Sequence, residues 1–155
     1  MALQHPQDAA AYGAAIARHF SGQQFEAVAS PAIGGLVIGF ATAQALTVRF
    51  IWTERENAAM TLRRGFTVRP GEQVLVVEDV ITTGGSTREC IEALEKQRAV
   101  VIGAACIVDR SNGKAEVGVP LISLVSLDVR SYKPEECPLC AAGIEATKPG
   151  SRMIK

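Results

Sequence analysis

Several features that mark specialised protein classes are scarce in this sequence. Its 155 residues carry 16 basic and 16 acidic side chains, so there is no excess of positive charge, and aromatic residues make up only 5 %. A general binder of nucleic acid or of a membrane surface would show a basic excess. The most apolar stretch, residues 32–41, is too short to span a membrane. We therefore expect a protein that binds neither nucleic acid nor a membrane.

Cysteines are also few, and they are unevenly placed. Cys90 and Cys106 lie in apolar stretches, which is typical of buried free thiols, and the other two are Cys137 and Cys140. Four such cysteines do not make a disulfide framework. The start of the chain lacks a basic segment followed by an apolar one, so it does not have the pattern of a signal peptide. These observations predict a cytoplasmic protein.

The Cys137-Pro-Leu-Cys140 motif invites a metal-site interpretation, but it offers two ligands where a structural zinc needs four. His5 and His19 lie far away in the sequence and lack ligand spacing. Two thiols in a tight, proline-containing turn are the favoured interpretation, and a dithiol redox role is the alternative. We expect no direct protein ligand to a metal.

Hydrophobic residues make up 48 % of the chain, enough for one compact domain over residues 1–155. Apolar periodicity predicts helices over 6–20, 36–46 and 86–96, the last with Ser86 as N-cap, and strands over 25–29, 48–52, 74–77, 100–108 and 119–127. Residues 53–71 are predicted as a long loop and residues 132–155 as an irregular tail. Alternating strands and helices predict an α/β fold around a parallel sheet.

The most informative segment follows the β-branched run 74–77. Two adjacent acids, Glu78 and Asp79, come at the end of this strand, and a turn of small residues then leads into a helix. Backbone amides and hydroxyls over 82–86, together with the helix dipole, favour binding of a phosphate. The acids can accept hydrogen bonds from two vicinal sugar hydroxyls, or hold Mg²⁺ through water. The segment therefore predicts a site for a ribose 5-phosphate.

Other phosphate-binding motifs do not fit. There is no Gly-x-x-x-x-Gly-Lys-Ser/Thr sequence, and no Gly-x-Gly-x-x-Gly follows the first predicted strand. The plainest alternative is an ordinary strand-to-helix connection. That alternative leaves two adjacent acids at the end of a buried strand unexplained.

Residues 74–86 resemble the thirteen-residue phosphoribosyl-pyrophosphate (PRPP) signature of type I phosphoribosyltransferases. The flanking motifs narrow the resemblance to orotate phosphoribosyltransferases: Ser30-Pro-Ala-Ile-Gly-Gly35, Met60-Thr-Leu-Arg-Arg-Gly-Phe66, Asp109-Arg110-Ser111, Cys137-Pro-Leu-Cys140 and Lys148-Pro-Gly-Ser-Arg152. The resemblance implies the type I phosphoribosyltransferase fold, a mostly parallel sheet flanked by helices. Met1 aligns well inside the fold of family members, so we expect the hood over the base to be reduced.

The same resemblance implies transfer of the 5-phosphoribosyl group from PRPP to orotate, giving orotidine 5′-monophosphate and pyrophosphate. Mg²⁺ is the implied cofactor, held through PRPP and water. Thr82 and Arg110 are expected to bind orotate, and Glu78, Asp79, Arg55 and Arg63 are the expected catalytic residues. The implied PRPP site comprises Glu78, Asp79, Val80, Ile81, Thr82, Thr83, Gly84, Gly85 and Ser86, and the implied pyrophosphate loop comprises Ala32, Ile33, Gly34 and Gly35.

Residues 53–66, within the predicted loop, resemble the mobile catalytic lid of the family. In the family's dimer this lid reaches the active site of the neighbouring subunit, so we expect a homodimer with shared sites. Family lids usually carry a lysine ahead of the Met-Thr-Leu-Arg-Arg element, where this chain has Asn57-Ala58-Ala59. Arg55 or Arg63 is expected to supply the missing cation.

Two other functions stay open from the sequence. One is phosphoribosyl transfer to a different nucleobase. The other is a non-catalytic sensor of PRPP or nucleotide, which would keep residues 78–86 but lack transfer activity. Arg110 favours the orotate enzyme over both, because a guanidinium can form two parallel hydrogen bonds with the carboxylate of orotate.

Overall fold

The computed structural model describes residues 3–57, 59–129 and 132–144. In this part of the chain the helices are α1 (Pro6–His19), α2 (Leu36–Leu46), α3 (Gly85–Glu95) and the short α4 (Pro138–Ala141), with a 3-10 turn at Pro134–Glu136. The strands are β1 (Ala27–Pro31), β2 (Arg49–Glu56), β3 (Ala59–Leu62), β4 (Gln73–Ile81), β5 (Val100–Asp109) and β6 (Leu121–Ser126). None of the described helices is long and apolar enough to cross a bilayer.

The six strands form one sheet in the order β3-β2-β1-β4-β5-β6. All neighbouring strands are parallel except β2 and β3, which form an antiparallel hairpin at one edge. The predicted α/β fold with a mostly parallel sheet is confirmed. Because parallel strands run in one direction, the carboxyl ends of β1, β4 and β5 all meet at the same edge of the sheet.

Helices cover both faces of the sheet. On one face, α3 packs its buried residues Cys90, Ile91 and Leu94 against the inward side chains of β1 and β4. On the other face, α1 and α2 contribute Ile16 and Ile38, among others, to a second apolar cluster. Strand β4 is buried on both faces, which explains its continuous run of valine and leucine.

The expectation that residues 53–71 form a loop is wrong. Strand β2 continues to Glu56, and residues 59–62 return as β3, so a β-hairpin fills the first half of this segment. The polar residues of this segment do not indicate a strand, because β2 lies next to the edge strand β3 and its alternate side chains face water. Ile51 and Thr53 are buried, and their neighbours are not. The segment from residue 63 to residue 72 has no helix or strand, as predicted.

Two other predictions need correction. Gly84, not Ser86, is the N-cap of α3, and its φ of 74° lies in the left-handed region that favours glycine. The tail is not wholly irregular, because the 3-10 turn and α4 form within residues 134–141. The motif Lys148-Pro-Gly-Ser-Arg152 lies outside the described residues.

Candidate active site

A pocket of about 190 Å³ lies where β4 ends and α3 begins. Of the residues 78–86 predicted to bind PRPP, all but Asp79 line it, and Arg55 enters from the hairpin. The lining residues are Arg55, Glu78, Val80, Ile81, Thr82, Thr83, Gly84, Gly85, Ser86, Thr87 and Glu89. Sequence reasoning missed Thr87 and Glu89, although Glu89 follows Ser86 by three residues and therefore shares its face of α3.

The turn from Thr82 to Gly84, here called the phosphate turn, has the geometry of an anion cradle. Gly84 turns the chain in the left-handed region and brings the first amides of α3 to the pocket. The N-terminal amides of a helix have no partner within the helix and carry partial positive charge, so they attract a phosphate. Thr82 and Thr83 are exposed at the pocket and add two hydroxyl groups.

Glu78 is a buried acid at the floor of this pocket, with a residue exposure of only 8 %. Burial, followed by the hydrogen bond and negative charge of Asp79, raises the pKa of Glu78 to about 9. The Asp79 amide donates to Glu78 Oε1 at 3.2 Å, and the Val80 amide donates to Asp79 Oδ1 at 2.8 Å. In the absence of a bound cation, Glu78 is therefore protonated at neutral pH.

The predicted pyrophosphate loop, residues 32–35, follows β1 and lies against these acids. A Cβ atom on Gly35 would stand 3.0 Å from Glu78 Oε1, and one on Gly34 would stand 2.8 Å from Asp79 Oδ1. Two glycines therefore allow the loop to approach the acid pair closely. The loop contains a cis peptide between Ala32 and Ile33, and the Ala32 amide donates to the carbonyl of Thr53 at 2.8 Å.

Arg110 follows β5 at the same edge of the sheet. In the register of the two strands Ile81 stands opposite Asp109, and the Arg110 amide donates to the carbonyl of Ile81 at 2.8 Å. Arg110, the residue after Asp109, therefore lies beside Thr82, the residue after Ile81. The Arg110 side chain is exposed. The backbones of Thr82 and Arg110, which the resemblance implies bind orotate, are therefore adjacent, although only Thr82 is among the residues that line the pocket.

The three lid arginines differ in position. Arg55 lines the pocket and forms an ion pair with Glu89 of α3. The guanidinium of Arg63 lies 3.3 Å from the carboxylate oxygen Oε1 of Glu56, and Arg63 does not line this pocket. Arg64 pairs with Glu54 and lines a neighbouring cavity of about 590 Å³ that also touches Ala32 and Ile33 of the pyrophosphate loop.

None of the described cysteines lines this pocket, although Cys106 of β5 stands opposite Glu78 in the register of the two strands. Cys90 and Cys106 are buried free thiols, as predicted, and Cys137 and Cys140 sit at α4 in the tail. Within the described residues there is no cluster of three or more His, Cys, Asp or Glu side chains able to hold a metal ion. The acidic residues that line the pocket are Glu78 and Glu89, and Asp79 follows Glu78 directly in the chain.

The raised pKa of Glu78 predicts how stability depends on pH. The unfolded chain releases this proton near pH 4.5 and the folded protein near pH 9, so the folded state binds more protons between these values. The Glu78 contribution to stability is therefore complete below about pH 4.5 and is lost as pH rises toward 9. Glu78→Gln should flatten this alkaline decline in urea unfolding without Mg²⁺ or PRPP. Glu92→Gln, on the exposed face of α3, is the control, and an equal decline in wild type and Glu78→Gln would contradict the assignment.

Comparison with known proteins identifies the family. The phosphoribosyl transferase domain family matches residues 2–133. The orotate phosphoribosyltransferase of Pelotomaculum thermopropionicum is 51 % identical over 154 residues, which cover 99 % of this chain and 81 % of the relative.

Solved structures share the fold. The orotate phosphoribosyltransferase of Mycobacterium tuberculosis in complex with PRPP superposes with a TM-score of 0.65 at 25 % identity, covering 81 % of this chain and 77 % of the other. The adenine phosphoribosyltransferase of Thermoanaerobacter pseudethanolicus gives a TM-score of 0.69 at 18 % identity, covering 81 % and 84 %, so the fold alone does not select the base. Sequence similarity is more specific than the fold, and the chain belongs to the orotate phosphoribosyltransferases of the phosphoribosyl transferase domain family.

Proposed function

We propose that this chain transfers the 5-phosphoribosyl group of PRPP to orotate, releasing pyrophosphate. The observation that carries the proposal is the hydrogen bond from the Arg110 amide to the carbonyl of Ile81. This bond supports the proposal because it sets the Arg110 backbone next to Thr82, in the turn proposed to bind phosphate. A site with both features suits a phosphorylated sugar together with an acidic base.

The selectivity for an acidic base follows from Arg110. Orotate carries a carboxylate that uracil and the purines lack, and a guanidinium binds a carboxylate through two parallel, charge-assisted hydrogen bonds. A neutral base would leave the Arg110 charge without that partner. The phosphate turn, by contrast, would serve any phosphoribosyltransferase.

In the proposed reaction a ring nitrogen of orotate gives up its proton to solvent and bonds to C1 of the ribose, while the bond from C1 to pyrophosphate breaks and its electron pair leaves with pyrophosphate. The amides of the phosphate turn hold the 5-phosphate and so fix the sugar. Glu78 and Asp79 accept hydrogen bonds from the ribose hydroxyls, at the strand end where the pyrophosphate loop also arrives. Positive charge develops at C1 and negative charge on the leaving group, so fixed dipoles and cations lower the barrier.

Mg²⁺ is the proposed cofactor. The donor set fits a hard cation, because two carboxyl groups lie beside the phosphate turn and the phosphates of PRPP would complete the oxygen ligands. Glu78 and Asp79 would contact the ion through water. When bound, Mg²⁺ neutralises charge on the leaving pyrophosphate.

Arg55 is the proposed lid cation for the leaving group. It lines the pocket, whereas Arg63 pairs with acids of its own hairpin outside the pocket lining. The side chains of Arg55 and Glu89, which form an ion pair, are each more than one-third exposed. Exposed pairs of this kind are worth at most about 1 kcal/mol, so a phosphate can displace Glu89 as the partner of Arg55.

A second copy of the chain is the proposed partner. Ile33, Val37 and Phe40 are exposed by 78 %, 47 % and 61 %. Val37 and Phe40 line one cavity with the half-buried rings of Phe50 and Trp52, and Ile33 lines a second cavity with Trp52. These five residues form an apolar patch that begins in the pyrophosphate loop. A partner chain covering the patch would place its residues beside the active site, which supports the expected shared sites. The cytoplasmic location stays a prediction.

Activity on a panel of bases tests the function. With PRPP and Mg²⁺, orotate should be consumed, as followed by its ultraviolet absorbance, while uracil, adenine and hypoxanthine should not react. Turnover of another base in place of orotate would contradict the substrate. PRPP binding in calorimetry with no turnover of any base would instead indicate a sensor.

Arg110 variants examine the same selectivity. Arg110→Ala should raise the KM for orotate roughly 10- to 100-fold, because a charge-assisted contact is lost. Arg110→Lys keeps the charge but not the planar guanidinium, so its KM for orotate should lie between those of wild type and Arg110→Ala. An equal rise in the KM for PRPP would count against the proposed role.

The lid assignment predicts a difference between two arginines. Arg55→Ala should lower kcat on the order of 100-fold, since a cation facing the leaving group is lost, while Arg63→Ala should lower it much less. Steady-state assays at saturating orotate and PRPP measure both. A larger loss for Arg63→Ala would move the role to Arg63.

The apolar patch predicts the assembly. Wild type should have the mass of two chains in size-exclusion chromatography with light scattering, and Phe40→Asp should have the mass of one. Leu139→Asp, a matched change at another exposed apolar residue, should remain dimeric. A Phe40→Asp dimer would place the interface elsewhere.

A further inference from the structure

The segment that carries Arg110 is closed into a loop by one buried carboxylate. Asp109, the last residue of β5, is only 3 % exposed. Its Oδ1 accepts hydrogen bonds from the Ser111 amide at 2.7 Å and the Ser111 hydroxyl at 2.6 Å, and its Oδ2 accepts one from the Gly113 amide at 2.8 Å. Both oxygens of a single side chain therefore hold the chain as it leaves the sheet.

Ser111 continues this network. Its hydroxyl oxygen accepts hydrogen bonds from the amides of Lys114 at 3.0 Å and Ala115 at 2.8 Å. Five donor groups over residues 111–115 are thus satisfied through Asp109 and Ser111. These hydrogen bonds all come from the loop's own polar groups.

The backbone on either side of Arg110 is also fixed. The Arg110 amide donates to Ile81 of β4, and the Asp109 carbonyl accepts from the Leu127 amide at 2.7 Å. Arg110 is therefore held between the ends of β4 and β6, while its exposed side chain extends from a fixed point.

The far end of the loop packs on the phosphate turn. Val117 is buried, and a Cβ atom on Gly84 would lie 2.7 Å from Val117 Cγ1. Arg88 of α3 donates to the carbonyl of Glu116 and reaches the carbonyl of Thr83 at 3.5 Å. The loop of residues 109–117 and the phosphate turn are therefore in direct contact.

We propose that Asp109 is a positioning residue for base recognition, which holds the 109–117 loop closed so that Arg110 is fixed beside Thr82. This inference rests on the proposed function, since it concerns the binding of orotate. The role requires a carboxylate because all three contacts come from donors. An asparagine has only one acceptor oxygen, so it cannot accept on both sides.

The electrostatics agree with this geometry. Burial would raise the pKa of Asp109, but the hydrogen bonds from the Ser111 side chain and from the Ser111 and Gly113 amides outweigh it, and the pKa is lowered. Asp109 thus remains a carboxylate at neutral pH, as a triple acceptor must.

Steady-state kinetics of Asp109→Asn test the proposal. The KM for orotate should rise roughly tenfold, from loss of one or two charge-assisted hydrogen bonds, while the KM for PRPP should change less than twofold. Ser111→Ala should act in the same direction, and Ser111→Thr, which keeps the hydroxyl, should restore the wild-type KM. The two Ser111 variants keep the test valid if Asp109→Asn fails to fold.

A double-mutant cycle separates positioning from general stability. If Asp109 acts through Arg110, Asp109→Asn should add little to the defect of Arg110→Ala, whereas independent structural damage would multiply the two defects. Amide hydrogen exchange should also quicken at residues 113–115 in Asp109→Asn. An unchanged KM for orotate in both Asp109→Asn and Ser111→Ala, or multiplied defects in the cycle, would overturn the proposal. If wild type does not use orotate, the proposed function fails and this inference fails with it. If wild type uses orotate but the variants do not behave as expected, this inference alone fails.

Discussion

The parallel pairing of β4 with β1 on one side and β5 on the other is the constraint on which the site depends. It brings three strand ends to one edge, and each delivers a different chemical group: a glycine loop after β1, two acids and a phosphate turn at β4, and an arginine after β5. The pairing is maintained by burial of both faces of the sheet. The catalytic geometry is thus a consequence of the core.

The sequence predicted the central part of this arrangement because its signals are local. A continuous apolar strand, adjacent acids and a small-residue turn lie within thirteen residues, and most of them line one pocket. The sequence does not predict the β2–β3 hairpin, because β2 lies next to the edge strand and its alternate polar residues resemble a loop. It predicts Ser86 as the N-cap because a sequence does not report the φ of Gly84.

Other features depend on contacts between distant residues, which no local pattern describes. The hydrogen bond from Arg110 to Ile81 requires the register of β4 and β5. The role of Asp109 had a weak local signal, since Asp, Ser and Gly at alternate positions are typical of side-chain-to-backbone turns. Its burial, which makes the network strong, comes only from the packed sheet.

The closed loop at Asp109 has a thermodynamic consequence for binding. A flexible segment that becomes ordered around its ligand loses conformational entropy, and that loss weakens the observed affinity. Internal hydrogen bonds already order residues 109–115, so this loss of conformational entropy occurs when the chain folds and not when the base binds. The hairpin that carries Arg55 is joined to α3 through a partly exposed ion pair instead. Under the proposed function, recognition of the base and enclosure of the site would therefore fall to two elements that are held in different ways.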